Sequence, residues 1–214
     1  MSENAFSEEA IGSRVITGLS KISLALKAQA WKGANQQGLT PTQGQILALL
    51  GHKGSRRLGE IAELLGITPA TTSEAVKALI AKGLVVKNRG VGDARSVSLN
   101  LTPDGRAEAE RTALWPDFLL AALESLEPEE QRIFLRSLVK MIRSLQEMGH
   151  IAPAQMCVTC TFFRPHAHPD PARPHHCAFV DAAFGDGGLR LECADHQPAP
   201  REQAHAAWSS WSKP

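Results

Sequence analysis

The sequence predicts a mainly α-helical fold: a winged helix-turn-helix between long terminal helices suited to dimerisation, followed by a small, irregular C-terminal Cys-rich module. Three observations carry that prediction. Apolar residues recur at three- and four-residue spacing at both ends of the first 150 residues. Between these ends, two short helical patterns joined by a glycine turn lead into an alternating strand pair. All four cysteines then fall between Cys157 and Cys193, in the pattern Cys-x2-Cys-x16-Cys-x15-Cys.

The 214 residues, 43% of them hydrophobic, are enough for one ordinary core plus an appendage. Composition shifts near Gly149. Most prolines and seven of the eight histidines (150, 166, 168, 175, 176, 196 and 205) lie beyond it, so the expected domains are residues 1–150 and 151–214. Glu3, Glu8, Glu9, Arg14 and Lys21 interrupt any apolar run near the start, which leaves no signal peptide or membrane span and predicts a cytoplasmic protein. In a reducing cytosol, clustered cysteines are metal ligands or redox groups more often than disulfides. Net charge is only +1, so binding to nucleic acid must rest on local patches.

Ile11, Val15, Leu19, Ile22 and Leu26 form one stripe of a long helix ending around Ala34. A second apolar pattern follows Leu101 and is interrupted near Glu127-Pro128. It comprises Leu114, Phe118, Leu123 and Leu126, then Ile133, Phe134, Leu138, Met141, Ile142, Leu145 and Met148. Periodicity alone fits either packing within one subunit or a dimer interface.

Thr42–Leu50 reads as a helix opened by Thr40-Pro41 or Thr42, and Leu58–Leu65 as a second with Ile61, Leu64 and Leu65 inward. Gly66-Ile67 makes the turn. Thr68-Pro69 then starts a helix with a side-chain cap and proline at its first position, and Gly83 stops it. This is the helix-turn-helix arrangement, whose second helix enters the major groove. On that helix Thr72, Val76 and Leu79 lie inward with Ile80 flanking. Thr68 at its start, Thr71 on its flank and Ala70, Ser73, Glu74 and Lys77 on the opposite face are the candidate DNA contacts. A solvated surface has the same composition; the hairpin next in the chain gives the face its meaning. Leu84–Lys87 and Ser96–Leu101 form that hairpin, and its glycine-containing tip carries Arg89, Asp93 and Arg95, a wing whose arginines can reach phosphates or a minor groove. Residues 52–106 hold nine Lys/Arg against five Asp/Glu, a local basic excess hidden by the overall charge.

Leu39-Thr40-Pro41-Thr42-Gln43, Leu58-Gly59-Glu60-Ile61-Ala62, Thr68 to Val76, Leu79 to Val85, Asp93-Ala94-Arg95 and Leu99 to Gly105 together resemble the MarR family of winged helix-turn-helix transcription regulators. The resemblance spans roughly residues 5–150. It implies a homodimer with interlocked terminal helices and two recognition helices on a pseudo-palindromic stretch of double-stranded DNA. It also implies that Asp93 orients Arg95, which touches DNA, and that a small-molecule effector can bind between the dimer and DNA-binding regions. The tail lies outside the common family pattern.

In the tail, Cys157 and Cys160 form one Cys-x2-Cys knuckle, whereas Cys177 and Cys193 stand apart. Zinc ribbons pair two such knuckles. A [4Fe-4S] cluster takes four cysteines from scattered loops, and Phe162, Phe163, Phe179, Phe184 and Leu191 are placed to shield one. The cysteine spacing is similar to that of high-potential iron-sulfur proteins and of small cluster-bearing subunits of some glycyl-radical enzymes, with a longer last interval. One zinc ion remains open as an alternative, with His176 or His196 as alternate ligands, and so do free or redox-paired thiols. His166, His168 and His205 read as solvated loop residues.

These features predict a DNA-binding regulator whose four-cysteine centre senses redox, iron or metal state. Two alternatives stand beside it: a small-molecule-responsive regulator with a purely structural zinc tail, and an electron-transfer or partner-docking module. No nucleophile-base constellation, phosphate loop or acid pair suggests an enzyme.

Overall fold

The computed structural model describes residues 8–90, 93–113 and 117–213, with the side chains of 8–10, 89–90, 93–96 and 113 outside that description. The described chain is mainly helical with an antiparallel wing hairpin, as predicted, and has a second, three-stranded antiparallel sheet in the tail that the sequence reading treats as irregular. It divides into two compact units, Met1–Leu120 and Ala121–Pro214.

The first unit runs α1 (Glu8–Gln36), α2 (Pro41–Lys53), α3 (Leu58–Leu65), α4 (Pro69–Ala81), β1 (Val85–Gly90), β2 (Asp93–Leu101) and α5 (Pro103–Ala113). Local chemistry sets these boundaries. Thr40 and Gln43 cap α2 reciprocally: the Thr40 hydroxyl accepts from the Gln43 N–H and the Gln43 side chain accepts from the Thr40 N–H, both at 3.2 Å. α3 ends at Gly66, which has a φ of 63° that side chains rarely adopt. The Gly66 and Ile67 N–H groups donate back to the carbonyls of Glu63 and Ala62 at 3.1 and 3.0 Å, turning the chain sharply into α4. Ile46, Leu47, Ile61, Val76, Leu79, Val85 and Leu99 fill the core beneath these helices.

The wing is anchored by more than its own hairpin. β1 pairs with β2 in a register running from Val85 opposite Leu101 to Arg89 opposite Val97. Arg56, in the link between α2 and α3, bridges to the outer side of β2 by exchanging backbone hydrogen bonds with Leu99 at 3.3 and 2.8 Å. Thr102 closes the base: its hydroxyl donates to the Gly83 carbonyl at 2.8 Å and accepts from the Gly105 N–H at 2.9 Å. A Cβ on Gly105 would lie 1.9 Å from the Leu84 carbonyl oxygen, so only glycine permits this close passage.

Among the described residues of the first unit, little covers the α1 stripe. Ile11, Val15, Ile22 and Leu26 are exposed and only Leu19 is half-buried.

α6 (Asp117–Leu123) and α7 (Pro128–Glu147) carry most of the second apolar pattern, of which Leu114 lies outside the described residues. α7 shares the second unit with the tail, which contains a 3-10 turn (Cys157–Thr159), β3 (Phe163–Arg164), β4 (His175–Cys177), β5 (Ala182–Phe184) and α8 (Arg201–Trp211). The composition shift near Gly149 coincides with the end of α7, and the packing division falls earlier. The tail core of Met156, Val158, Phe163, Leu189 and Trp211 closes on Val139, with Leu135 and Ile142 packed beside it. Of the predicted stripe, only Ile142 belongs to that face. Phe134, Leu138, Met141, Leu145 and Met148, spaced 4-3-4-3, remain exposed or half-exposed.

Basic residues of α7 fasten the tail to it. Arg136 donates to the carbonyls of Trp211 and Lys213, and Lys140 to that of Ser212, each at 2.8 Å. These bonds satisfy carbonyls at the end of α8, where positive charge is also favoured by the helix dipole. The Arg143 guanidinium lies 4.1 Å from the Trp208 ring centroid.

Candidate functional site

Two assemblies of side chains stand out, one in each unit. In the first, α4 separates a buried face from an exposed one. Thr72, Ala75, Val76 and Leu79 are buried. Thr68, Ala70, Thr71, Glu74 and Lys77 are exposed and Ser73 is half-buried, so the predicted outward residues share one surface. The helix start is tightly built. The Thr68 hydroxyl accepts from the Thr71 N–H at 3.1 Å and lies 2.8 Å from the Thr71 hydroxyl, while the Thr72 hydroxyl donates to the Thr68 carbonyl at 3.0 Å. Pro69 fills the position where its missing N–H costs nothing. The side chains of Arg89, Asp93 and Arg95 lie outside the described residues; their backbone belongs to β1 and β2, the strands of the wing.

In the second unit, Cys157, Cys160, Cys177 and Cys193 line a single cavity of about 160 Å³. The 3-10 turn supplies Cys157, and Cys160 follows directly at its end. β4 supplies Cys177, in register with Phe163 on β3 and Ala182 on β5, so that one row across the sheet forms a wall. Phe162, Phe163, Phe179 and Phe184 line the cavity as predicted; Leu191 packs into the unit's core instead.

The surroundings of the sulfurs are largely apolar. Burial pushes the Cys157 thiol above its ordinary pKa; the Arg190 N–H opposes this at 3.3 Å, and the nearby Cys193, Cys160 and Cys177 add to it. The Arg190 guanidinium reaches the Cys193 sulfur at 3.8 Å. Sequence reasoning misses Arg190, because nothing but its place three residues before Cys193 marks it.

The alternate histidines are engaged elsewhere. Successive strand residues face opposite ways, so His176 points away from the side that carries Cys177. It lies 3.2 Å from His168 and 3.4 Å from Asp181. His196 lies 3.0 Å from the Thr159 hydroxyl. Neither lines the cavity. Among the described residues, no group of three or more His, Cys, Asp or Glu side chains is close enough to hold a single metal ion.

A polar hub joins the cavity wall to α7. Asp186 Oδ1 accepts from Trp211 Nε1 at 2.8 Å and from His175 Nε2 at 3.0 Å, and Oδ2 accepts from Arg136 at 2.8 Å. His175 is fully buried two residues from Cys177, and its Nδ1 accepts from the His166 N–H at 3.3 Å. Burial lowers the His175 pKa against the pull of Asp186 and keeps the imidazole neutral, with its proton on Nε2. Burial works to raise the Asp186 carboxyl, but the bonds from Trp211, His175 and Arg136 hold it below its usual range.

A further cavity of about 350 Å³, in the first unit, is lined by α1, α2 and α5 residues including Leu26, Trp31, Ala48 and Thr112.

Comparison with known proteins finds a family match within the first unit. Residues 37–96 match the MarR family, a stretch that spans the helix-turn-helix and most of the wing. The transcriptional repressor MdtR of Bacillus subtilis is 28% identical over 122 residues, covering 54% of this chain and 79% of MdtR. Among solved structures, a MarR family protein from Bacillus stearothermophilus superposes with a TM-score of 0.55 at 26% identity, covering 66% of this chain and 99% of that one. The S. aureus MepR–DNA complex gives 0.52 at 27% identity, covering 59% and 94%. The winged-helix part of this chain is thus similar to MarR transcription regulators, and these relatives are regulators rather than enzymes. The family match ends at residue 96, well before the first cysteine.

Proposed function

We propose that this protein is a homodimeric regulator that binds a pseudo-palindromic operator in duplex DNA, and that its cysteine tail carries a thiolate-ligated centre adjusting operator affinity. The observation that carries the first part is the exposed face of α4, presented by a capped helix-turn-helix and followed directly by a basic wing. A helix so mounted offers small and polar side chains to base edges, its N-terminus to a phosphate, and Lys77 to the backbone. The MepR relative is captured on DNA. Such a regulator works in the cytoplasm.

The dimer is supported by uncovered apolar surface. Ile11 and Ile16 on α1 are 60% and 66% exposed, and the 4-3-4-3 stripe of α7 has the spacing of a helix-helix seam. Two-fold symmetry of the protein then calls for two half-sites in the operator.

Regulation by the centre is supported by the Asp186 hub. It ties α7 to β4, the strand that carries Cys177, so a change in the cavity acts on a helix with an apolar seam. A coupling of about 1–3 kcal/mol would change operator affinity roughly five- to 150-fold. The cavity at Trp31 supports a second reading, in which a small apolar molecule is the effector and the tail is structural.

The test of DNA recognition is titration of duplexes from the protein's own upstream region with wild type and Lys77→Glu. Wild type should select one fragment over the others, and the variant should lose about tenfold in affinity and salt dependence. Absence of binding to any fragment at low salt would overturn the reading.

A further inference from the structure

The geometry points to a [4Fe-4S] cluster as the occupant of the four-cysteine cavity, with Cys157, Cys160, Cys177 and Cys193 each ligating one iron. This deepens the reading of the tail as a thiolate-ligated centre and rests on it.

A single ion is held at a point, whereas a cluster fills a volume. A zinc ion requires its sulfurs about 2.3 Å from one centre. Here all four cysteines stand around one cavity of about 160 Å³, while no three ligating groups among the described residues converge closely enough for one ion. A cube of iron and sulfide fills such a volume and reaches outward to four thiolates, which a single ion cannot do. The histidines that would complete a mixed zinc site are held by Thr159, His168 and Asp181, and neither reaches the cavity.

The walls fit the same occupant. Cluster sites are shielded by aromatic and aliphatic groups and tuned by N–H donors to sulfur. Phe163 and Phe184 form part of the wall and pack 6.0 Å apart, and Phe162 meets Phe179 at 5.3 Å. The donors come from Arg190, through its backbone N–H to Cys157 and its guanidinium to Cys193. Four thiolates around a doubly positive core leave a net dianion. The Arg190 cation offsets part of that charge, and removing it favours the more oxidised, less negative cluster. Arg190 is therefore a positioning residue that sets reduction potential.

The experiment is anaerobic purification of the full chain, followed by iron, acid-labile sulfide and zinc analysis, a visible spectrum and a redox titration. The expected protein is brown, with iron and sulfide equal at about four of each per chain. Arg190→Gln should keep that stoichiometry and shift the reduction potential downward. Cys177→Ser should lose the cluster. If that variant fails to fold, the wild-type iron and sulfide content still decides. One zinc without sulfide, or neither metal after reconstitution with iron and sulfide, overturns the proposal. An unchanged potential in Arg190→Gln overturns the role of Arg190. Operator binding is measured on the same samples. A colourless zinc protein that binds DNA refutes the cluster but not the regulator, and a brown protein that binds no duplex does the reverse.

Discussion

Replacing Asp186 with alanine should loosen the whole second unit, because one carboxylate satisfies three donors. Trp211 Nε1 and His175 Nε2 share one oxygen and Arg136 takes the other, all within 3.0 Å. Trp211 and His175 are fully buried, so their N–H groups would find no water in exchange. Arg136 and Asp186 are each 25% exposed, so their attraction is only partly screened. Breaking such a pair from one side costs about 3–5 kcal/mol, since the other charge is left uncompensated. Asp186→Asn keeps an acceptor for the two ring N–H groups and loses only the charged bond to Arg136, a cost of about 1.5–3 kcal/mol. Urea unfolding followed by tryptophan fluorescence would measure both. Replacing Trp31 and Trp115 by Phe leaves Trp208 and Trp211 as reporters of the tail. The order wild type, Asn, Ala should hold at constant urea dependence. An alanine variant within about 0.5 kcal/mol of wild type, or an Asn variant as unstable as the Ala variant, would refute the hub.

Two further outcomes are expected. Thr68→Ala removes the acceptor for the Thr71 N–H and should cost about 1 kcal/mol in thermal or urea unfolding of the first unit. Operator affinity should fall with it, because the same cap fixes the start of α4. Leu138→Glu places a charge in the middle of the α7 seam, where the side chain is only half-exposed. Sedimentation should then show a larger monomer fraction than wild type at equal concentration, with unchanged helix content by circular dichroism; an undisturbed dimer would place the interface elsewhere.

The elements legible in the sequence were those fixed by local chemistry. Thr40-Pro41, Gly66 and Thr68-Pro69 mark helix ends through capping and backbone conformation, both of which act within a few residues. The four cysteines and four phenylalanines also converge as their clustering suggested. What remained hidden depends on contacts distant in sequence. Arg56 pairs with Leu99 through backbone groups, which carry no side-chain signature. Arg136 meets Asp186 across fifty positions, and neither residue breaks the apolar rhythm that exposes a core. The face of α7 that meets the tail was likewise obscured. Leu135 and Val139 lie beside a more regular stripe, and periodicity does not say which of two apolar faces a neighbouring segment will cover. His176 and His196 were reasonable candidate ligands by spacing alone. Strand alternation turns His176 away, and Thr159 engages His196.

The most direct test of the account compares operator affinity with and without the centre. Anaerobically purified protein and the same protein stripped of its metal should be titrated with one fluorescent operator duplex at fixed ionic strength. The account predicts dissociation constants that differ at least fivefold, with both forms dimeric. Equal constants, with the metal content shown to differ, would contradict it.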